Sequence, residues 1–209
     1  MSSETENCEN IKSCIILCGG QSRRMGQDKG SMIIKDKPMI KHLLSTLNHE
    51  INEAIIVLND QTRIAKYQEF INPNDYSYKI TFVEDKIKNK GPMPGIMTGL
   101  EHISCNYALV MPCDSPYISK NYINTIFKEI EDDYQAIVPY HDSADKLKTS
   151  EPLHSIYRKD IVCEIERLIS EDVLHIKGLI EKIDTKFILI DNKKIEKKEF
   201  RNLNRPEDI

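Results

Sequence analysis

No run of apolar residues in this chain approaches the roughly 20 needed to span a bilayer, so no membrane-crossing helix is expected. Positive charge is not in excess either. Lysine and arginine number 29 against 33 acidic residues, a formal net charge of -4. No overall field therefore draws the protein to nucleic acid or acidic lipid, and neither is expected as a partner. Any anion it binds must be met by a local cluster. The six cysteines (Cys8, Cys14, Cys18, Cys105, Cys113 and Cys163) form no CxxC pair and have no histidine at zinc-like spacing. Four lie in or beside apolar runs, which points to buried free thiols in a reducing, cytoplasmic setting. No histidine pair or serine triad stands out, and the six histidines are scattered, so none is assigned a role. The opening MSSETENCENIK is polar and acidic, unlike a secretory or transit signal, and is expected to be a disordered tail over 1–12. Neither an internal repeat nor a long linker divides the remainder. With 40% apolar and 30% charged residues, 13–209 is read as one globular domain.

What is present is an alternation of short apolar runs and amphipathic stretches. Strands are expected at Ser13–Cys18, Ala54–Leu58, Ile80–Val83, Tyr107–Met111 and Ala136–Pro139. Between them, helices are expected at Pro38–Leu47, Thr62–Phe70 and Ile96–Ile103. Another should run from a Ser119 cap to about Ile130. After Tyr140 the pattern loosens. A polar loop, HDSADKLKTSE, precedes an expected strand at Leu153–Tyr157, helices at Asp160–Ile169 and Gly178–Ile183, and a strand at Phe187–Ile190. The charged run Lys193–Lys198 reads as a solvated face. The β-α-β-α order argues for an α/β fold, a mainly parallel sheet with helices on both faces.

In such sheets ligands sit beyond the carboxyl ends of the strands. The first of these loops, in CIILCGGQSRRMGQDKG, is where this acidic protein concentrates positive charge. Gly19 and Gly20 allow close backbone approach, and their amides can point at one anion. Arg23 and Arg24 offer planar forks for phosphate oxygens, and Lys29 a point charge. The loop is neither of two standard phosphate motifs. Five residues separate Gly20 from Gly26, one too many for a Walker A loop, and Gln27 stands where lysine is required. The dinucleotide G-x-G-x-x-G is absent as well. On composition alone, a solvated surface loop competes evenly with a phosphate loop. A second stretch, LVMPCDSP, ends a buried strand on Asp114 between Pro112 and Pro116, on the same sheet edge. One carboxylate facing phosphates suits Mg²⁺, although Asp114 could also merely cap the next segment. A third, VEDKIKNKGPMPGIMTGL, places Glu84 and Asp85 just past a strand. Three loops on one edge suggest a nucleotide with metal.

These blocks resemble the nucleotidyltransferases related to molybdenum cofactor guanylyltransferase. LCGGQSRRMGQDKG is similar to their LAGGxSxRMGxDK signature, GPMPGIMTGL to GPLAGI…GL, and PCDSP to CDxP. EPLHSIYRKD is similar to a QPLxxLY block and NLNRPEDI to NxNTPEDL, all in family order from Ser13 to Ile209. The closing block favours the guanylyltransferase branch. The resemblance implies a Rossmann-like three-layer α/β/α nucleotidyltransferase with Mg²⁺ as cofactor. It would transfer GMP from GTP to the terminal phosphate of molybdenum-molybdopterin, releasing pyrophosphate. It would work among proteins that supply and accept the cofactor. By matching position, Leu17, Cys18, Gly19, Gly20 and Lys29 would bind GTP, Asp85 and Asn59 would contact the nucleotide, and Asp114 would bind nucleotide and metal. Arg23, Lys29 and Asp114 would carry catalysis. Departures from the pattern are Cys18 for alanine, Met93 and Pro94 for Leu-Ala, Asp36 for glycine, Glu151 for glutamine and Arg205 for threonine. Glu151 adds negative charge in the acceptor half.

The phosphate loop reads phosphates and not the base, so two alternatives stay open from the residues themselves. One is a transferase on the same fold that uses CTP or another phosphorylated acceptor. The other is a GTP-binding module without chemistry, which would have no need of a metal carboxylate.

Overall fold

The computed structural model describes residues 11–19, 28–88, 90–142, 144–190 and 195–203. The expected tail up to residue 10, and with it Cys8, lies outside them, as do Gly20 and Arg23 of the glycine loop. Among the described residues the strands are β1 (Ser13–Leu17), β2 (Ile33–Ile34), β3 (Lys37–Pro38), β4 (Glu53–Leu58), β5 (Lys79–Glu84), β6 (Tyr107–Pro112), β7 (Ala136–Tyr140), β8 (Ile156–Arg158) and β9 (Thr185–Leu189). The helices are α1 (Met39–Leu47), α2 (Gln61–Phe70), α3 (Met93–His102), α4 (Lys120–Phe127), α5 (Val162–Ser170) and α6 (Ile176–Ile180).

Seven strands form one sheet in the order β5-β4-β1-β6-β8-β7-β9, and β2 and β3 form a separate hairpin. Within the seven-stranded sheet all pairings are parallel except those of β8, which runs antiparallel to both β6 and β7. β1, β4 and β6 are buried along their whole length. Side chains alternate between the two faces of a strand, so each face carries its own core. Ile16, Leu43, Leu44 and Tyr122 pack on one side, and Ile15, Ile96, Leu100 and Ile165 on the other. No helix among the described residues is long and apolar enough to cross a membrane.

Most expected elements appear with ends shifted by a few residues, and four differences have local causes. Leu153 is not in a strand. Pro152, which lacks an amide hydrogen, opens a 3-10 turn over Pro152–His154, and the strand begins only at Ile156. The helix capped by Ser119 does stop early, at Phe127. Its buried face is Tyr122, Ile123, Ile126 and Phe127, and of the following EIEDD only Ile130 packs against the core, the rest being acidic. The Asp160 helix starts as a 3-10 turn, with α5 proper from Val162. α6 begins upstream of Gly178, because the His175 ring accepts a hydrogen bond from the Gly178 amide at 2.9 Å and caps it. The β2–β3 hairpin turns through Lys35 (φ 44°) and Asp36 (φ 66°). Two central residues at positive φ are what a two-residue hairpin loop demands, and Asp tolerates that region. Of the 193–198 run, Glu196, Lys197 and Lys198 are exposed, while Ile195 is buried and anchors it. Cys14, Cys18, Cys105 and Cys113 are buried free thiols, and Cys163 is exposed.

Candidate active site

The order β5-β4-β1-β6 decides which loops share the carboxyl edge. Asp85 follows β5, Asn59 follows β4, Cys18 and Gly19 follow β1, and Asp114 follows β6. Adjacent strands lie about 4.8 Å apart, so Asp85 and Asp114 stand at the ends of strands on the order of 14 Å apart, with the glycine loop between them. That is a row of contacts for an extended ligand and not a single point.

At the centre of the row, Cys18 continues the β1 ladder, its amide donating to Val57 O at 2.9 Å. Gly19 is exposed and lies against Asn59. A Cβ on Gly19 would stand 2.8 Å from Asn59 Oδ1, so a larger residue there would require the Asn59 side chain to turn away. Gly19 and Asn59 therefore adjoin, while the Leu17 and Cys18 side chains pack into the cores on opposite faces of the sheet. A cation without an assigned role stands here too: Arg63 of α2 donates from Nη1 to Cys18 O at 3.3 Å. The Cys18 thiol is pushed up well above the ordinary thiol range, first by burial and then by Cys113 beside it. It is a packing group and not a nucleophile.

Asp85 holds the far end. Its amide donates to Leu58 O at 2.7 Å, extending the β4–β5 ladder. Its Oδ1 accepts from the Ile87 amide at 3.2 Å. Burial raises its carboxyl above the usual carboxylate range, more than that hydrogen bond lowers it.

At the other end, Lys29 and Asp114 meet. Lys29 Nζ donates to Asp114 Oδ2 at 2.7 Å, across 85 residues of sequence. Asp114 Oδ1 is buried and has no hydrogen-bond partner among the described residues. A buried carboxylate oxygen without a partner is costly unless something else binds there. Oxygen donors of this kind suit Mg²⁺, which takes one or two carboxylates with phosphate oxygens and water. Asp114 fits that ion as a single protein ligand. No cluster of three or more acidic, histidine or cysteine side chains that could cage a metal occurs among the described residues.

Lys29 is presented by a short 3-10 turn, Lys29–Ser31, whose clamp was not singled out from the sequence. Asp28 caps this turn, its Oδ1 accepting from the Gly30 amide at 3.2 Å and from the buried Tyr67 hydroxyl at 2.8 Å. Gly30 lies directly beneath that hydroxyl, where any Cβ would collide with it. The x-D-K-G spacing of the sequence carries this clamp, but nothing in it points to Tyr67, which is 39 residues from Asp28. The Asp114 turn has its own ties. The Leu203 amide donates to Asp114 O at 3.0 Å, and Ser115 Oγ donates to Asn202 Oδ1 at 2.7 Å.

Fold and site together define an α/β enzyme of the nucleotidyltransferase class. The chain belongs to the MobA-like NTP transferase domain family, whose profile matches residues 14–185. A probable molybdenum cofactor guanylyltransferase of Methanothermobacter thermautotrophicus is 31% identical over 202 residues, covering 95% of this chain and 98% of that one. The molybdenum cofactor guanylyltransferase of Aliivibrio salmonicida is 30% identical over 196 residues, 93% of this chain and 92% of its own. Among solved structures, molybdopterin-guanine dinucleotide biosynthesis protein A of Archaeoglobus fulgidus superposes with a TM-score of 0.73 at 24% identity, covering 95% of this chain and 94% of its own. The 4-diphosphocytidyl-2C-methyl-D-erythritol synthase of Anaerococcus prevotii gives 0.67 at 15%, covering 100% and 96%. At such identities these two likenesses concern the fold alone.

Proposed function

We propose that this protein transfers GMP from GTP to the terminal phosphate of molybdenum-molybdopterin, releasing pyrophosphate. The observation that carries nucleotidyl transfer is the Lys29–Asp114 pair, a cation and a carboxylate with one buried, unbonded oxygen at the end of β6. The guanine base and the pterin acceptor rest on the relatives, which share a name and align over nearly the whole chain.

The reaction is an in-line displacement. A bond forms between an acceptor phosphate oxygen and the α-phosphorus, and the bond from that phosphorus to the bridging oxygen breaks. The nucleophile is a phosphate monoester with a second pKa of about 6, already largely ionised at neutral pH, so no general base is required. The protein's work is positioning and charge stabilisation. Asp114 would hold Mg²⁺, which would neutralise part of the triphosphate charge. Lys29, supported by the Asp28 clamp, turns its ammonium to the α-phosphate and the leaving pyrophosphate, and Arg23 joins it from the glycine loop. The Gly19 amide would receive a phosphate oxygen, and Gly20 is assigned to the same loop contact from the sequence. Asn59 and Asp85 fix the nucleoside. Proteins that supply and receive the cofactor would complete the route.

The test is a pyrophosphate-release assay crossing GTP, CTP, ATP and UTP with molybdopterin and several sugar phosphates. Release with GTP and molybdopterin is expected. Turnover confined to CTP, or to a sugar phosphate, would replace this reading by another transferase of the same fold.

A further inference from the structure

Beside the Asp114 turn lies a buried polar chain that the transfer does not use directly. Ser115 is fully buried and His154 is 1% exposed. His154 Nε2 lies 2.9 Å from Ser115 Oγ, and Ser115 Oγ donates to Asn202 Oδ1. A hydroxyl has one proton to give. Because Ser115 gives its proton to Asn202, His154 must donate from Nε2, and its tautomer is set. Its Nδ1 is buried without a hydrogen-bond partner among the described residues, and Glu151 Oε2 stands 3.7 Å away, beyond hydrogen-bond distance.

His154 is held rigidly. Its ring meets Phe200 edge-on, with centroids 5.3 Å apart, and its carbonyl accepts the hydroxyl of buried Tyr122. Phe200 belongs to the C-terminal segment that also supplies Asn202, the Leu203 amide on Asp114 O, and Glu199, whose Oε2 accepts from the Ser119 amide at 3.0 Å. The turn from Asp114 to Ser119 is thus tied on one side to His154 and on the other to 199–203. Packing alone does not ask for an imidazole here. Leucine would fill similar space against Phe200, whereas a buried ring nitrogen costs free energy unless it is bonded. The one bond this ring nitrogen makes is to the residue next to Asp114.

We propose that His154 is a positioning residue for Asp114, holding through Ser115 the turn on which Asp114 keeps an unbonded oxygen ready for a divalent cation. The proposal rests on the nucleotidyl-transfer reading above. The probe is Mn²⁺ in the presence of GTP, with bound Mn²⁺ read by electron paramagnetic resonance, alongside kcat and KM for GTP. His154→Leu is expected to weaken Mn²⁺ binding and lower kcat by about 10- to 100-fold, the usual effect of removing a group that orients a metal ligand. KM for GTP should hardly move. His154→Gln, which carries a donor nitrogen near the place of Nε2, should recover most of both. If His154→Leu fails to fold, Ser115→Ala deletes only the hydroxyl and should give the same losses. Normal Mn²⁺ binding in the folded Leu or Ala variant, or a Gln variant no better than Leu, overturns the role. Wild-type protein that binds no Mn²⁺ with GTP overturns both this role and the transfer reading, a pattern distinct from failure at the variants alone. Nitrogen-15 spectra of the imidazole, free of any ligand, should show the proton on Nε2. Finding it on Nδ1 overturns the direction of the chain and the proposal with it.

Discussion

The two oxygens of Asp114 have different surroundings, and that difference gives the sharpest residue-scale test. Oδ2 is bonded to Lys29, and Oδ1 is buried without a bond among the described residues. Asp114→Asn keeps the size but removes the charge that both Lys29 and a magnesium ion need. The backbone ties through Leu203 remain, so the variant should fold, with kcat for pyrophosphate release down about 100- to 1000-fold. A folded variant with near-normal turnover would remove the metal assignment. Lys29→Ala should lower kcat sharply with a smaller loss of GTP binding, because charge moves toward the leaving group during transfer. If KM rose and kcat held, Lys29 would be a ground-state contact only. Asp85 makes the opposite stability prediction. Its carboxyl is raised by burial from an ordinary value of 3.8. The folded state therefore holds its proton to higher pH than the unfolded chain does, and stability falls as pH rises from that value through the raised one. At neutral pH the ionised Asp85 costs stability. Asp85→Asn should thus raise Tm near pH 7, with the gain vanishing as the pH falls below about 3.8, and should weaken GTP binding. An equal Tm difference at both pH values would contradict this account.

Among the helices, α3 fits closely on the sheet. It packs on β1 at Gly99, where a Cβ would collide with Cγ2 of Ile15 and lie 2.9 Å from its Cγ1 and Cδ1. Ile15 is fully buried and branched at Cβ, so it has little room to yield. Gly99→Ala would gain about 1 kcal/mol of helix propensity and lose about 1–3 to overpacking, for a net loss of up to about 2 kcal/mol. Chemical denaturation would measure it. The double variant with Ile15→Ala, which removes all three crowded carbons, should lose less stability than the two single variants summed, since residues in contact do not act additively. Full additivity would place the strain elsewhere.

For the molecule as a whole, the expected signature is linkage between nucleotide and fold. GTP with Mg²⁺ at a hundredfold excess over Kd should add about 2.7 kcal/mol of stability. For a chain of this length that is a rise in Tm of about 5–10 °C. A larger shift with CTP than with GTP would overturn the base assignment. The candidate row crosses the ends of four neighbouring strands, so a ligand spanning it would tie together residues far apart in sequence.

Periodicity and punctuation, both local properties, already determined a good deal here. Apolar runs of strand length alternating with amphipathic stretches specified the α/β class. Ser119 was legible as a cap, and its side chain does accept from the Tyr122 amide at 3.1 Å. The carboxylate of Asp114 just past a buried run, and Gly19 and Lys29 in the loop after β1, marked the candidate edge for the same reason. Strand-loop-helix geometry is written within a dozen residues. What lay beyond reach depends on contacts between distant segments. Strand order, the reversed direction of β8, and the two-residue strands β2 and β3 are too short-ranged or too long-ranged in cause for a local pattern to reveal. Tyr67 under Asp28, and His154 and Asn202 around Ser115, are joined across 39, 39 and 87 residues. Each of those side chains reads on its own as an ordinary core or surface residue. Only the packing of β6, the Pro152–His154 turn and the C-terminal segment against one another decides that a histidine, a serine and an asparagine shield and aim one carboxylate. A buried polar group can persist only where the folded chain supplies its partner.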